Sequence, residues 1–150
     1  MVRQIPSALP YMINAVYAEN HYYNDINSMV IFSDDVKRLK FILGILNSKL
    51  ISFWFNKEYD KMQRNIFPQF KVNELKSFPI PSLDLSKKAD IEKQEQLIAL
   101  VDEMLEIKSR EQTNDAILKE IQRVDEEIDR FVYMLFYLLD NEIKIIENNS

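Results

Sequence analysis

Apolar positions along the chain change spacing twice. Near the start they come in short aromatic and β-branched runs. "YMINAVYA" at 11–18 and "NSMVIFS" at 27–33 flank the polar "ENHYYND", which predicts two strands of a small sheet. Asp34 and Asp35 then supply an N-cap and a first-turn acid. Val36, Leu39, Leu43, Leu46, Leu50 and Phe53 follow at alternating intervals of three and four, which predicts one helix running to about Tyr59. Phe41, Ile42, Ile45 and Phe55 add a second apolar face, so this helix is expected to be mostly buried. Gly44, Ser48 and Ser52 stand four apart, a stripe of small residues where another backbone can approach.

The middle is irregular. Residues 56–66 are polar and predict an exposed loop. "FPQFKVNELKSFPIP" at 67–81 holds three of the five prolines. Proline removes a backbone donor and drives the preceding residue to extended geometry. A short strand near 68–72, a helical turn near 73–77 and an extended exit through Pro79 and Pro81 are expected.

The last part is helical. From Asp90 to about Leu139 there is no proline or glycine. Ile91, Ile98 and Leu105 stand seven apart. Ile117, Val124, Phe131 and Leu138 repeat the interval, with Ile121, Ile128 and Leu135 interleaved, as in a heptad seam. The polar "SREQTND" at 109–115 breaks the stripe. Either one helix of roughly 70 Å runs through it, or two helices fold back as a hairpin with Asn114 or Asp115 as cap. "NEIKIIENN" predicts a final short amphipathic helix. The expected class is α+β: a small sheet with one buried helix over 1–82, a linker over 83–90, and long helices over 91–150 in a coiled coil or hairpin.

Composition removes several chemistries. Cysteine is absent, so disulfides, thiolate metal sites and cysteine nucleophiles are excluded. That usage and the lack of a secretory signal suit a cytoplasmic protein. The only glycine, Gly44, cannot build a phosphate-cradling or dinucleotide loop. His21 is the only histidine and has no partner spacing for a metal. The longest apolar run is broken by Asn47, Ser48 and Lys49, a poor membrane span. Glu103, Glu106, Asp125, Glu126, Glu127 and Asp129 recur at helical spacing and describe a solvated helix face. "EIK" occurs twice, both times in helical sequence, so it does not make a nuclease strand. No catalytic site emerges.

The net charge of −5 is uneven. Residues 34–82 carry nine Lys or Arg against five acids, and residues 83–150 nine against seventeen. Lys57, Lys61, Gln63, Arg64, Gln69 and Lys71 lie in or beside the basic loop, and Asn24, Asn27 and Ser28 lie in the predicted hairpin. Lys and Arg suit phosphates, and Gln, Asn and Arg suit base edges. These nine are the candidate DNA contacts, although composition alone favours an ordinary solvated loop.

The order of motifs is more specific. "NSMVIF" leads to "ILGILNSKLISFWF", then "FPQFKVNELKSFPIP", "EKQEQLIALVDEMLEIKS" and "EEIDRFVYMLFYLLDNEIKIIE". Over about residues 10–147 this resembles the TaqI-like C-terminal specificity domain of adenine-specific DNA methyltransferases and type IIG restriction-modification enzymes. It is also similar to half of a type I restriction specificity subunit. The resemblance implies a non-catalytic target-recognition module at the C-terminal end of a longer enzyme. Double-stranded DNA and the enzyme's methyltransferase or nuclease domain are the implied partners. A homodimer through Ile117, Ile121, Val124, Ile128, Phe131 and Leu135 is a further possibility, and no membrane is implied. S-adenosylmethionine is expected in the parent chain and no cofactor in these 150 residues. The proline segment is then a rigid exit from the DNA reader into a helical spacer. The alternative is a helical interaction module with no DNA role. One departure stands out: the family's Tyr-Gly-Leu-Thr-like break after the closing motif is replaced by Tyr137, Leu138 and Leu139.

Overall fold

Side-chain caps decide where the helices begin. In the computed structural model, which describes residues 1–19, 23–59, 69–110 and 114–149, Asp35 accepts the Arg38 N–H at 3.0 Å and starts α1, Val36–Leu46. The expected single helix to Tyr59 is two. Ser48 divides them: its hydroxyl donates to the Ile45 carbonyl at 2.7 Å and accepts the Ile51 N–H at 3.4 Å. It closes α1 and caps α2, Lys49–Glu58. Serine suits such a position because its oxygen satisfies N–H groups that a helix start leaves free. The apolar spacing continues across the break, which hides it from a periodicity reading.

The sheet also differs from expectation. Its ladder joins β1, Val2–Arg3, to β2, Ser28–Met29, antiparallel, with Val2 opposite Met29 and Arg3 opposite Ser28. The predicted strand 11–18 does not pair with 27–33. It lies on the other side of β1, with a bridge between Val2 and Ala15 and bonds from Arg3 N–H to Asn14 O (2.9 Å) and Val16 N–H to Met1 O (2.8 Å). Helix side chains hold it from below. Ser52 Oγ accepts the Met12 N–H at 2.9 Å, and the Asn47 amide both accepts from and donates to the Ala15 backbone (2.8 and 3.0 Å). Here the small-residue stripe does admit a second backbone.

Beyond the sheet come α3, Val72–Leu75, an extended run through Pro79 and Pro81, and α4, Lys88–Lys108. Asn114 accepts the Ile117 N–H at 3.0 Å and starts α5, Asp115–Leu135. The hairpin is therefore the arrangement adopted, and α4 packs along α5 and α1. Each long helix spans about 30 Å rather than one rod of twice that length. Val124, Ile128 and Leu135 are buried in a core that runs from Val2 to Ile146, with Ile117, Ile121 and Phe131 partly buried against it. The heptad stripe is thus covered within the chain.

The closing break forms without glycine. After α5, Tyr137 takes φ 55°, the Tyr137 N–H reaches Met134 O and the Leu138 N–H reaches Tyr133 O, both at 3.1 Å. This pair of bonds is a Schellman turn; α6, Asp140–Asn148, follows. A side chain in the left-handed region costs about 1–2 kcal/mol. Tyr137→Gly removes that cost, loses the contact with the Lys93 ammonium 5.8 Å from the ring centroid, and loosens the unfolded chain. Its expected net effect is a gain of about 0.5 kcal/mol, read as a small rise in midpoint during urea unfolding; a fall would mean that the ring's contacts outweigh the strain.

Candidate nucleic-acid interface

Two of the segments proposed from sequence as DNA contacts meet across one residue. Gln4 donates its N–H to Asn27 O at 2.8 Å and accepts the Phe70 N–H at 3.1 Å. Residues 24–29 and 69–71 therefore flank the N-terminal strand, although some forty positions separate them in the chain. The Gln69 side-chain amide reaches Asn27 Oδ1 at 3.3 Å and ties the two directly.

The 24–28 turn is built from its own polar groups. Asp25 Oδ1 accepts the Asn27 N–H at 3.0 Å and the Ser28 hydroxyl at 2.9 Å. Asn24 donates to Ser28 O at 3.1 Å, and its Oδ1 also accepts from the Ser28 hydroxyl. This is the local side-chain bonding that favours Asn, Asp and Ser in turns. Ile26 and Tyr23 stand out beside it, both almost fully exposed.

Aromatic packing anchors the other segment. Phe70 and Phe78, from the proline-rich stretch, are buried, with centroids 5.2 and 5.7 Å from Phe55 of α2. Trp54 stands edge-on to Phe78 at 5.3 Å, and the Tyr59 and Ser77 hydroxyls are 2.6 Å apart. The two phenylalanines are the anchors, so Gln69 and Lys71 on either side of Phe70 are left exposed. Lys57 is exposed at the end of α2, its ammonium 5.5 Å from the Phe53 ring centroid. Lys61, Gln63 and Arg64 lie outside the described residues, as does His21.

Sequence reading missed Arg3. Val2 faces the core, so the alternation of a strand turns Arg3 outward, opposite Ser28. Arg3 and Lys57 make no ion pair among the described residues, whereas Lys37, Lys40, Lys49 and Arg123 each meet an acid on another helix. The only available signal was the alternation in "MVRQ", too short to assign.

Asp129 was also misread. It is 2% exposed rather than on a solvated face. Its carboxylate accepts the Lys49 N–H at 2.8 Å, at the first turn of α2, and the Tyr11 hydroxyl at 2.9 Å. The Lys49 ammonium lies 3.9 Å from Asp129 and 2.9 Å from Glu147, which also accepts from the Tyr133 hydroxyl at 2.8 Å. Burial pushes the Asp129 carboxyl up to about 6, against the hydrogen bonds from Lys49 and Tyr11. Burial works to raise Glu147 as well, but Lys49 and Tyr133 bring it below its ordinary value. Burial, then Asp129, pushes the Tyr11 hydroxyl far above its ordinary value. The network locks the strand-like segment at 11 to α2, α5 and α6. Among the described residues no cluster of His, Asp and Glu could hold a metal ion, and no helix is long and apolar enough to cross a membrane.

The family model of the TaqI-like C-terminal specificity domain matches residues 1–80, more than half of the chain. The match takes in the sheet, α1, α2 and the proline-rich segment; α4 to α6 lie beyond it. No curated protein and no solved structure matches the chain.

Proposed function

The chain belongs to the family of TaqI-like C-terminal specificity domains, and on that premise we propose that it reads duplex DNA for an adenine-specific DNA methyltransferase or a fused restriction-modification enzyme. Its own role is non-catalytic: it positions a methyltransferase domain that binds S-adenosylmethionine elsewhere in the enzyme. The reading surface is the strip formed by the 24–28 turn, Arg3 and residues 69–71; Lys57, Lys61, Gln63 and Arg64 are further candidate contacts from the basic loop of the sequence. The observation that carries this reading is the Gln4 junction, which brings the Asn27 and Gln69 side chains within hydrogen-bond distance, with Arg3 beside Gln4, Ser28 beside Asn27 and Lys71 two places after Gln69 in the chain. Arg and Lys supply phosphate contacts that fix register, and Asn27 and Gln69 supply the donors and acceptors that discriminate bases.

Dimerisation through residues 117–135 has less support, because much of that stripe is covered inside the chain.

Single changes Arg3→Ala and Lys71→Ala, made in the parent enzyme, are expected to weaken duplex binding. Each should reduce the slope of log K against log salt by about one unit per lost phosphate contact. Lys61→Ala and Arg64→Ala should behave alike. Titrations at several salt concentrations measure this, and unchanged affinity and slope in all four variants would remove the strip from the interface.

A further inference from the structure

Ile26 is out of place in the 24–28 turn. The Ser28 N–H reaches Asp25 O at 3.4 Å, so Ile26 and Asn27 are the two central residues of a tight turn. Such turns favour small and polar residues, and Asn24, Asp25, Asn27 and Ser28 conform. Ile26 does not. It is 89% exposed, so the fold covers almost none of its apolar side chain. Taking that side chain out of water is favourable, and the turn leaves this undone.

The polar residues hold Ile26 out. Asp25 Oδ1 accepts the Asn27 N–H and the Ser28 hydroxyl, and the Asn24 amide donates to Ser28 O. The Asp25 carboxylate is thereby engaged within the turn. Isoleucine is branched at Cβ and stiff at χ1, so the projecting side chain loses little freedom when a ligand buries it.

Its neighbours say which ligand. Asn27 follows Ile26 directly, and its side chain meets Gln69. Consecutive Cα atoms are about 3.8 Å apart, so a duplex that meets these two amides comes within reach of Ile26. A protein interface is built around a contiguous apolar centre, whereas the residues on either side of Ile26 are polar. One apolar side chain among hydrogen-bonding groups is how several DNA-bending proteins part a base step: polar groups hold the groove, and an Ile, Leu or Phe enters the stack. Tyr23, three residues earlier and fully exposed, adds an aromatic face of the kind on which bases stack.

We propose that Ile26 is an apolar wedge that enters the base stack of bound DNA at one step and kinks the duplex there. The ease of parting that step is then read together with the hydrogen bonds made by Asn27 and Gln69. The wedge rests on the DNA-reading function proposed above.

The test uses the parent enzyme and duplexes that it selects from a random pool, resynthesised with a fluorescent donor and acceptor at their ends. Energy transfer should show a bend of roughly 20–90° in the native complex. Ile26→Ser should straighten the duplex and weaken binding about tenfold. The slope of log K against log salt should stay as it is, because isoleucine displaces no counterion. Ile26→Leu should keep both the bend and the affinity. Serine is favoured in turns and position 26 is exposed, so the fold should survive by circular dichroism. A straight duplex in the native complex, or a bend that Ile26→Ser leaves intact, would overturn the wedge. If either result comes with a reduced salt slope in Arg3→Ala and Lys71→Ala, the DNA-reading surface stands without it. If those two variants and Ile26→Ser all bind as the native enzyme does, the surface and the wedge fall together.

Discussion

Asp129→Ala is expected to cost about 3 kcal/mol of folding stability, because it leaves the Lys49 N–H and the Tyr11 hydroxyl without their acceptor. Asp129→Asn keeps an acceptor in place and separates geometry from charge. The carboxyl, ordinarily at 3.8, is held at about 6 in the fold. A carboxyl raised on folding binds its proton more tightly in the native state. Its contribution is therefore most favourable below about pH 4 and is lost as pH climbs through 6. The shift corresponds to about 3 kcal/mol across that window. Urea unfolding of the native chain and Asp129→Asn at several pH values between 4 and 7 isolates the effect, since other titrating groups are common to both. The asparagine variant should gain on the native chain steadily as pH rises. Parallel curves would mean that Asp129 is already ionised in the fold throughout the range.

Gly44→Leu is expected to be nearly as damaging. A Cβ on Gly44 would lie 2.9 Å from Val101 Cγ2 and 3.0 Å from Leu97 Cδ1, both on α4. Leu97 is fully buried and Val101 nearly so, so either can yield only by displacing its own neighbours. Alanine gains about 1 kcal/mol of helix propensity against about 1–3 kcal/mol of overpacking, so Gly44→Ala should lose little. Leucine adds three further carbons into the same contact and forces α4 away from α1, for an expected loss of about 3 kcal/mol. Thermal unfolding should show a drop of roughly 6–12 °C, partly restored by adding Val101→Ala. A Gly44→Leu chain with an unchanged midpoint would mean that α1 and α4 do not touch at this position.

Local signals in the sequence carried well. Asn114, one of the two residues expected to cap the last long helix, does so and settles the hairpin over the rod, while the cap of α1 falls on Asp35, expected in the first turn, rather than on Asp34. Gly44 and Ser52 admit a helix and a backbone, as their size and spacing implied. Phe70 and Phe78 turn the proline-rich stretch into an anchored connector. Non-local pairing did not carry. Val2–Arg3 is too short to register as a strand, yet it takes the place between residues 12–16 and 27–29 that a hairpin reading denies it. Ser48 was counted as a small packing residue, and its capping role is invisible to an apolar period that continues through it. Asp129 occupies a polar position of the stripe, and only the approach of α2 and Tyr11 makes that position interior. Of the nine candidate DNA contacts, Lys61, Gln63 and Arg64 lie outside the described residues. Gln69 and Asn27 meet only because Gln4 lies between their segments.

Gln4 joins those segments through amide and carbonyl groups that every residue except proline possesses. That junction thus does not depend on what Arg3 or Lys71 carry beyond their Cα atoms, whereas the 24–28 turn and the Gln69–Asn27 tie are held by side chains. At Arg3 and Lys71, mechanical support and chemical vocabulary are held by different atoms. Those two positions can be rewritten for a new target while the backbone hydrogen bonds of the Gln4 junction stay where they are.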